Sequence, residues 1–130
     1  MRRGYTLVEL VVVLALAALL AGTALPGWRA HVERAARADA VEALTRLQAA
    51  QERFRAAHGL YADRLAVLAL GERSAQGRYR IALASAGPEA YHASAWAQGA
   101  QERDRECAVL TLEVDGGFTR SGPSARCWGR

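Results

Sequence analysis

The feature that most constrains this chain is an apolar stretch near its N-terminus that contains a single carboxylate. Residues 5–25 carry no charge except at Glu9. As a helix rising about 1.5 Å per residue they would extend roughly 31 Å, enough to cross the hydrocarbon core of a membrane. A carboxylate within such a segment costs about 2.5–3.5 kcal/mol by insertion scales, and residues of this kind normally have a function. The sequence therefore predicts a membrane-spanning helix with a functional Glu9.

The residues before this stretch are not those of an ordinary secretory signal. In such a signal the small residue at the cleavage site follows the apolar region, whereas here Gly4 precedes it. Cleavage after Gly4 would leave the whole apolar helix on the mature protein. Arg2 and Arg3 also precede the helix, and positive flanks stay cytoplasmic, so the rest of the chain is expected outside the inner membrane. A plain single-span membrane protein would account for neither Gly4 nor Glu9.

A second, amphipathic helical pattern follows the apolar stretch. Pro26 lies at the junction and is expected to kink the helix. The pattern then continues to about His58 and ends at Gly59, a residue typical of helix C-termini. The opposite face is expected to be solvated, with Glu33–Arg37 and Glu42–Arg46 as ion pairs four residues apart. The face expected to be buried carries Val32, Ala36, Ala40, Leu44, Leu47 and Phe54.

Beyond residue 59 the hydrophobic period changes to two, which predicts β-strands. Residues 60–77 are expected to connect the helix to the strands and to include a short helical turn. Asp115-Gly116-Gly117 is a hairpin signal, so the strands should form an antiparallel meander with one face covered by the amphipathic helix. Trp96, at the end of the second strand, is expected in the core. The predicted strands are residues 78–83, 91–97, 107–114 and 118–120.

These features together resemble the type IV pilin family, and in particular PilE-like minor pilins. Arg2-Arg3-Gly4-Tyr5-Thr6-Leu7-Val8-Glu9-Leu10 is similar to the class III signal, or prepilin N-terminal methylation motif. The resemblance implies the type IV pilin fold of class α+β, with a long N-terminal helix packed on about four antiparallel strands. The C-terminal part of the resemblance rests on Gly77-Arg78-Tyr79, Tyr91-His92-Ala93-Ser94-Ala95, Cys107-Ala108-Val109-Leu110-Thr111-Leu112 and Cys127-Trp128.

The resemblance also implies a division of the chain and a location. Residues 1–4 would be the leader peptide, 5–25 the transmembrane and filament-core helix, 26–58 the amphipathic half and 59–130 the globular head. The protein would cross the bacterial inner membrane once, with a cytoplasmic N-terminus and a periplasmic head, before entering an extracellular pilus. Its implied partners are other pilin subunits in a helical filament, the prepilin peptidase, the inner-membrane assembly platform and, before assembly, membrane lipid.

The implied function is that of a structural subunit, most simply a minor pilin. The peptidase would cut between Gly4 and Tyr5, and the new N-terminus of Tyr5 would be methylated. In the filament Glu9 would lie near the N-terminal amine of Tyr5 on an adjacent subunit, so that the two charges neutralise each other. Thr6 completes the same assembly motif, with its own role left open.

Cys107 and Cys127 are expected to form a structural disulfide. They lack metal-ligand spacing and a CxxC neighbourhood, and an exported domain meets an oxidising compartment. The bond would close a loop of about 20 residues, worth roughly 3 kcal/mol by chain entropy. The histidines are far apart, and no nucleophile elbow or phosphate loop is visible, so no metal, no cofactor and no enzymatic activity are expected.

Two alternative functions remain open on the same scaffold. A type II secretion pseudopilin would be supported by calcium-binding acidic loops, but the acidic segment 102–106 has interposed arginines. The other alternative is a DNA-binding or DNA-uptake pilin, for which the formal net charge of +4 is weak support, since cleavage after Gly4 would halve it. A solvated face is the favoured interpretation of the arginines near aromatic residues. The candidates for DNA contact are Arg78, Arg80, Arg103 and Arg105.

Overall fold

The computed structural model describes residues 4–130, so Arg2 and Arg3, on which the predicted leader and topology depend, lie outside the described part. Within it, helix α1 spans Leu7–His58. It is followed by strands β1 (Tyr79–Ser85), β2 (Ala90–Ala97), β3 (Val109–Asp115) and β4 (Phe118–Gly122). This is the predicted α+β pilin fold. Short 3-10 helices in the connections span Leu65–Leu68, Gly99–Arg103, Arg105–Cys107 and Ala125–Trp128.

The chain divides into two compact units, with the boundary between Val32 and Glu33. In the first unit, α1 is long and apolar enough to cross a membrane, and its most apolar stretch is not buried. Pro26 lies inside the helix, which continues on both sides of it. Because large exposed apolar surfaces mark lipid or protein contacts, this segment needs a covering that the described residues of the unit do not supply.

The second unit contains the sheet, whose strands follow one another in the order β1-β2-β3-β4 with antiparallel neighbours. This is the predicted meander. The inward positions of β2 are Tyr91, Ala93, Ala95 and Ala97, all buried. Small residues at the centre of the sheet leave room for the helix, and the core is completed by the buried helical residues Ala40, Leu44 and Leu47 together with Leu110, Leu112 and Val114 of β3.

The helical face was predicted correctly over most of its length. Ala36, Ala40, Leu44 and Leu47 are fully buried. Val32 is exposed, contrary to the prediction, because it precedes the start of the unit that has a core. Phe54, near the other end of the face, is half-buried and stacks on His58 with ring centroids 4.1 Å apart.

One of the two predicted ion pairs on α1 is wrong. Arg46 binds Glu42 at 2.6 Å on the exposed face, as expected. Arg37 does not pair with Glu33; it is buried and binds Asp104, 67 residues away. Position 37 lies beside the buried Ala36, so its guanidinium is directed to the loop that covers this part of the helix.

The strand predictions need three corrections. Arg78 precedes β1, and Cys107 belongs to a 3-10 turn, so β3 begins only at Val109, where the pairing with Trp96 starts. Trp96 is not in the core: 44% of it is exposed. Successive side chains of a strand point to opposite faces, and the burial of Ala95 and Ala97 places Trp96 on the outer face.

Candidate functional site

Thr6 and Glu9 are joined at the N-terminus of α1. The backbone N–H of Glu9 donates to Thr6 Oγ1 at 3.2 Å, and the N–H of Leu10 donates to the carbonyl oxygen of Thr6 at 3.2 Å. Thr6 is therefore the N-cap, and Glu9 is the third helical residue, which is the Thr-x-x-Glu spacing of a capping box. This gives Thr6 the structural role that the sequence analysis left open; the Thr-x-x-Glu spacing was the signal that could have revealed it.

The carboxylate of Glu9 is exposed in the first turn of the apolar helix. Within residues 4–130 it forms no ion pair. The partial positive charge of the helix N-terminus favours a carboxylate there, but a full counter-charge has to come from outside the described chain. Tyr5, whose amine cleavage would expose, lies just before the cap and is 86% exposed.

The predicted disulfide between Cys107 and Cys127 is present, with the two Cα atoms 5.5 Å apart. It joins the β2–β3 connection to the C-terminal 3-10 turn. The adjacent Trp128 is buried, and its indole Nε1 donates to the carbonyl oxygen of Gly122 at 2.8 Å. The C-terminal 3-10 turn is thus held by one covalent bond to the β2–β3 connection and by one partly buried hydrogen bond to the end of β4.

A buried polar cluster holds the β2–β3 connection against α1. Arg37 Nε donates to Asp104 Oδ2 at 2.6 Å and its Nη2 donates to Oδ1 at 2.8 Å. Gln101 Nε2 donates to the same carboxylate at 3.3 Å. The hydrogen bonds that the Arg37 guanidinium donates to Asp104 raise its pKa. Sequence reasoning missed this cluster, because no local spacing links residues so far apart.

The four candidate arginines lie at one end of the sheet, where β1 begins and β2 ends. Arg80 is on the outer face directly opposite Trp96, and the carbonyl oxygen of Arg78 accepts the N–H of Gln98 at 2.9 Å. Arg103 and Arg105 are exposed in the 3-10 segments that follow β2. The sequence did not identify Arg73, which is exposed and forms a β-bridge with Arg80.

Comparison with protein families identifies the chain. Residues 26–111 match the family model described as type IV minor pilin ComP, DNA uptake sequence receptor. The chain belongs to this family of minor pilins. Residues 1–25 of the pilin match the prokaryotic N-terminal methylation motif. No curated protein matches the chain.

The two matches meet at the junction between the apolar and amphipathic parts of this minor pilin. The motif match covers Gly4, Tyr5, Thr6 and Glu9, while the ComP match covers the Arg37–Asp104 cluster and the arginine end of the sheet. Among the described residues of the pilin, no group of three or more His, Cys, Asp or Glu side chains is placed to hold a metal ion.

Proposed function

We propose that this minor pilin is cut between Gly4 and Tyr5, methylated on Tyr5, and built into a type IV pilus through Glu9. The proposal rests on the capped first turn, which presents an exposed carboxylate at the start of an uncovered apolar helix. The match of residues 1–25 to the N-terminal methylation motif supports the same sequence of events. The N-terminus would be cytoplasmic and the globular part periplasmic until the subunit enters the filament.

The proposed pairing has a direct electrostatic basis. A carboxylate in an apolar environment is strongly disfavoured without a positive partner. The α-amine of Tyr5 on a neighbouring subunit supplies such a partner once the leader is removed. Because each charge is costly alone, subunits whose helices dock at the register that joins amine and carboxylate are favoured over all others.

Glu9→Ala tests the assembly role. The variant should insert in the membrane and be cleaved after Gly4, since neither step needs the carboxylate, but it should be absent from sheared filaments. Losing one member of a buried charge pair typically costs about 3–5 kcal/mol. Glu42→Ala, which removes an exposed carboxylate farther along the same helix, serves as the matched control and should assemble normally.

Co-expression with tagged wild-type subunits makes the comparison internal to one filament preparation. Entry of the Glu9 variant into filaments at the wild-type ratio contradicts the assembly role. Intact-mass analysis of the same subunits tests processing separately. It should find an N-methylated chain beginning at Tyr5, and a mature N-terminus near Ala24 would instead indicate an ordinary signal peptide.

We infer DNA binding as a second function, at the arginine end of the sheet. The family model that covers residues 26–111 describes a DNA uptake sequence receptor. Of the arginines singled out from the sequence, Arg80 lies near the start of β1, while Arg103 and Arg105 lie in the connection that follows β2. Arginines neutralise phosphates and release bound counterions. The same match favours a minor pilin over the pseudopilin alternative.

A filter-binding assay with the full chain in detergent tests this second function. Replacement of the four candidate arginines by Gln should weaken binding and lower the dependence of affinity on salt, by about 0.9 in slope for each duplex phosphate that the variant no longer neutralises. If the matched control variant binds DNA equally weakly, the loss of affinity comes from the change in net charge and not from these four positions. The control replaces four exposed arginines located elsewhere: Arg46, Arg53, Arg64 and Arg120.

A further inference from the structure

Trp96 is a large aromatic side chain held in a defined position on the outer face of the sheet, the face whose side chains point away from the core. It is 44% exposed. Its indole Nε1 donates to Ser94 Oγ at 2.9 Å. Ser94 is two residues away on the same face of β2, so the ring extends along the strand over the sheet. Such a ring is already ordered and keeps an accessible surface.

The residues beside Trp96 carry positive charge. In the sheet register Arg80 is directly opposite Trp96, and Arg73 is bridged to Arg80, so the three side chains form one row across the outer face. Within residues 4–130, neither Arg73 nor Arg80 forms an ion pair. Two neighbouring cations without a counter-charge favour an anionic partner.

The next row of the outer face is flat. Its members across the sheet are Ala82, Ser94, Thr111 and Gly122. A side chain at position 122 would not fit, since a Cβ there would lie 2.6 Å from Thr111 Oγ1. The ring of Trp96 therefore adjoins small residues and is open to a planar group laid against it.

Negative charge on this face lies farther from Trp96. Glu113 pairs in the sheet register with His92, toward the other end of β2. Its carboxylate is already engaged by His92 at 3.3 Å and by Arg120 at 3.7 Å. Among the described strand residues, the two rows nearest Trp96 include no acidic side chain. This part of the outer face is therefore complementary in charge to a polyanion.

We propose that Trp96 stacks on a base of a DNA strand whose phosphates are bound by Arg80 and Arg73. This inference rests on the proposed DNA-binding function and adds to it a specific contact and a strand preference. Stacking requires a base that is free of its own duplex partners, and exposed aromatic rings beside cations are the usual platforms for single strands. Trp96 should therefore contribute to the binding of single-stranded DNA and of opened or frayed duplex ends.

Equilibrium binding of labelled oligonucleotides to the full chain in detergent tests the contact. Two probes of mixed sequence and equal length, one single-stranded and one a blunt duplex with closed ends, are titrated at several salt concentrations. Trp96→Ala should weaken single-strand binding about tenfold, within the range of roughly five- to 150-fold seen for base–aromatic stacking. Its salt slope should stay at the wild-type value, because the arginines still neutralise the same phosphates.

Trp96→Phe and Arg80→Gln separate the two parts of the contact. Trp96→Phe keeps an aromatic face and should retain most of the affinity. Arg80→Gln should weaken both probes and reduce the salt slope by about one. The matched controls are at the opposite end of the same face: Phe118→Ala removes an aromatic side chain that is 84% exposed, and Arg120→Gln removes an exposed arginine. Both should bind single strands like the wild type.

The outcomes distinguish this inference from the broader DNA function. If the wild type binds neither probe at low salt, both are wrong. If the arginine variants bind more weakly while Trp96→Ala matches Phe118→Ala on the single strand, DNA binding stands and the stacking contact is wrong. The contact is also wrong if Trp96→Ala weakens duplex binding and leaves single-strand binding unchanged. It is wrong as well if Trp96→Ala binds DNA normally but fails to enter filaments, a result that would indicate a protein interface. Tryptophan fluorescence that is quenched by single strands in the wild type, but not in Trp96→Phe, supports the proposal directly.

Discussion

Arg37 of α1 binds both carboxylate oxygens of Asp104, with donor–acceptor distances of 2.6 and 2.8 Å, and both side chains are buried. The planar guanidinium matches a carboxylate in two parallel hydrogen bonds, a geometry that Lys cannot reproduce. This pair fixes the β2–β3 connection, whose neighbouring residues Arg103 and Arg105 remain exposed. The position of these arginines relative to α1 thus depends in part on this buried interaction.

Arg37→Ala should destabilise the second unit by about 3–5 kcal/mol, because it leaves the Asp104 carboxylate buried without its partner. Arg37→Lys should recover only part of this. Chemical denaturation of the full chain in detergent measures the change. The control is Arg46→Ala, which breaks an ion pair of the same 2.6 Å length with Glu42 on the exposed face and should cost about 0.5 kcal/mol or less. Equal losses of stability in the Arg37 and Arg46 variants would show that burial does not determine how much the Arg37–Asp104 pair contributes.

The disulfide should account for a similar share of stability. Replacing Cys107 and Cys127 together by Ser avoids a free thiol and should lower the free energy of unfolding by about 3 kcal/mol. The reason is that the two positions, 20 residues apart in sequence, are no longer linked in the unfolded chain, which therefore gains conformational entropy. Wild-type protein treated with a reductant should lose a comparable amount. An unchanged denaturation midpoint in the double variant would mean that Trp128 and its hydrogen bond to Gly122 hold the C-terminus without the covalent bond.

Local patterns in the sequence predicted most of the fold. The features that were missed depend on contacts between residues far apart in the sequence. The period of the apolar residues identifies α1 and the strands, since these elements follow from local spacing. The partner of Arg37 could not be read in this way, because Asp104 lies in another element and resembles the solvated charges around it. Trp96 shows a different limit: a bulky aromatic in a strand suggested the core, but the two-residue alternation set by Ala95 and Ala97 decides its face.

The candidate sites were predictable to different degrees. The Thr-x-x-Glu spacing of Thr6 and Glu9 is local, so the N-cap could have been predicted from the sequence, although the sequence analysis left the role of Thr6 open. The grouping of the arginines at one end of the sheet depends on strand register, which places Arg80 opposite Trp96. Arg73 joins them through a bridge made by a connecting segment, and connecting segments have no periodic signal that would place them.

Tyr91 should make the protein sensitive to alkaline conditions. Its hydroxyl is buried and has no hydrogen-bond partner among the described residues, and burial raises its pKa. Below about pH 10 the phenol is protonated in both the folded and the unfolded state, so it adds no pH dependence. Above that pH the unfolded state loses the proton first, and stability falls by about 1.4 kcal/mol per pH unit for each such tyrosine.

Tyr91→Phe should reduce this alkaline loss. Thermal unfolding followed between pH 8 and 11 should show a shallower decline for the variant, with equal or higher stability at pH 7, because an unpaired buried hydroxyl is removed. Tyr79 contributes a second such group, since burial also raises its pKa, so part of the decline should remain. A wild-type slope in the Tyr91→Phe variant would contradict the assignment.

Thr6 should control how firmly the first turn of α1 is formed. Its Oγ1 accepts the N–H of Glu9, one of the donors at a helix N-terminus that has no partner within the helix. Loss of an N-cap hydroxyl costs about 1 kcal/mol, so in Thr6→Ala the amide of Glu9 should exchange with solvent about fivefold faster in micelles. Thr6→Ser keeps the hydroxyl and should keep the protection. Thr23→Ala is the matched control, because the Thr23 hydroxyl donates to the carbonyl oxygen of Leu20 at 3.0 Å in the middle of the helix and caps nothing. If Thr6→Ser exchanges as fast as Thr6→Ala, the hydroxyl is not the cap, and the first turn of α1 must be held by lipid or by helix packing instead.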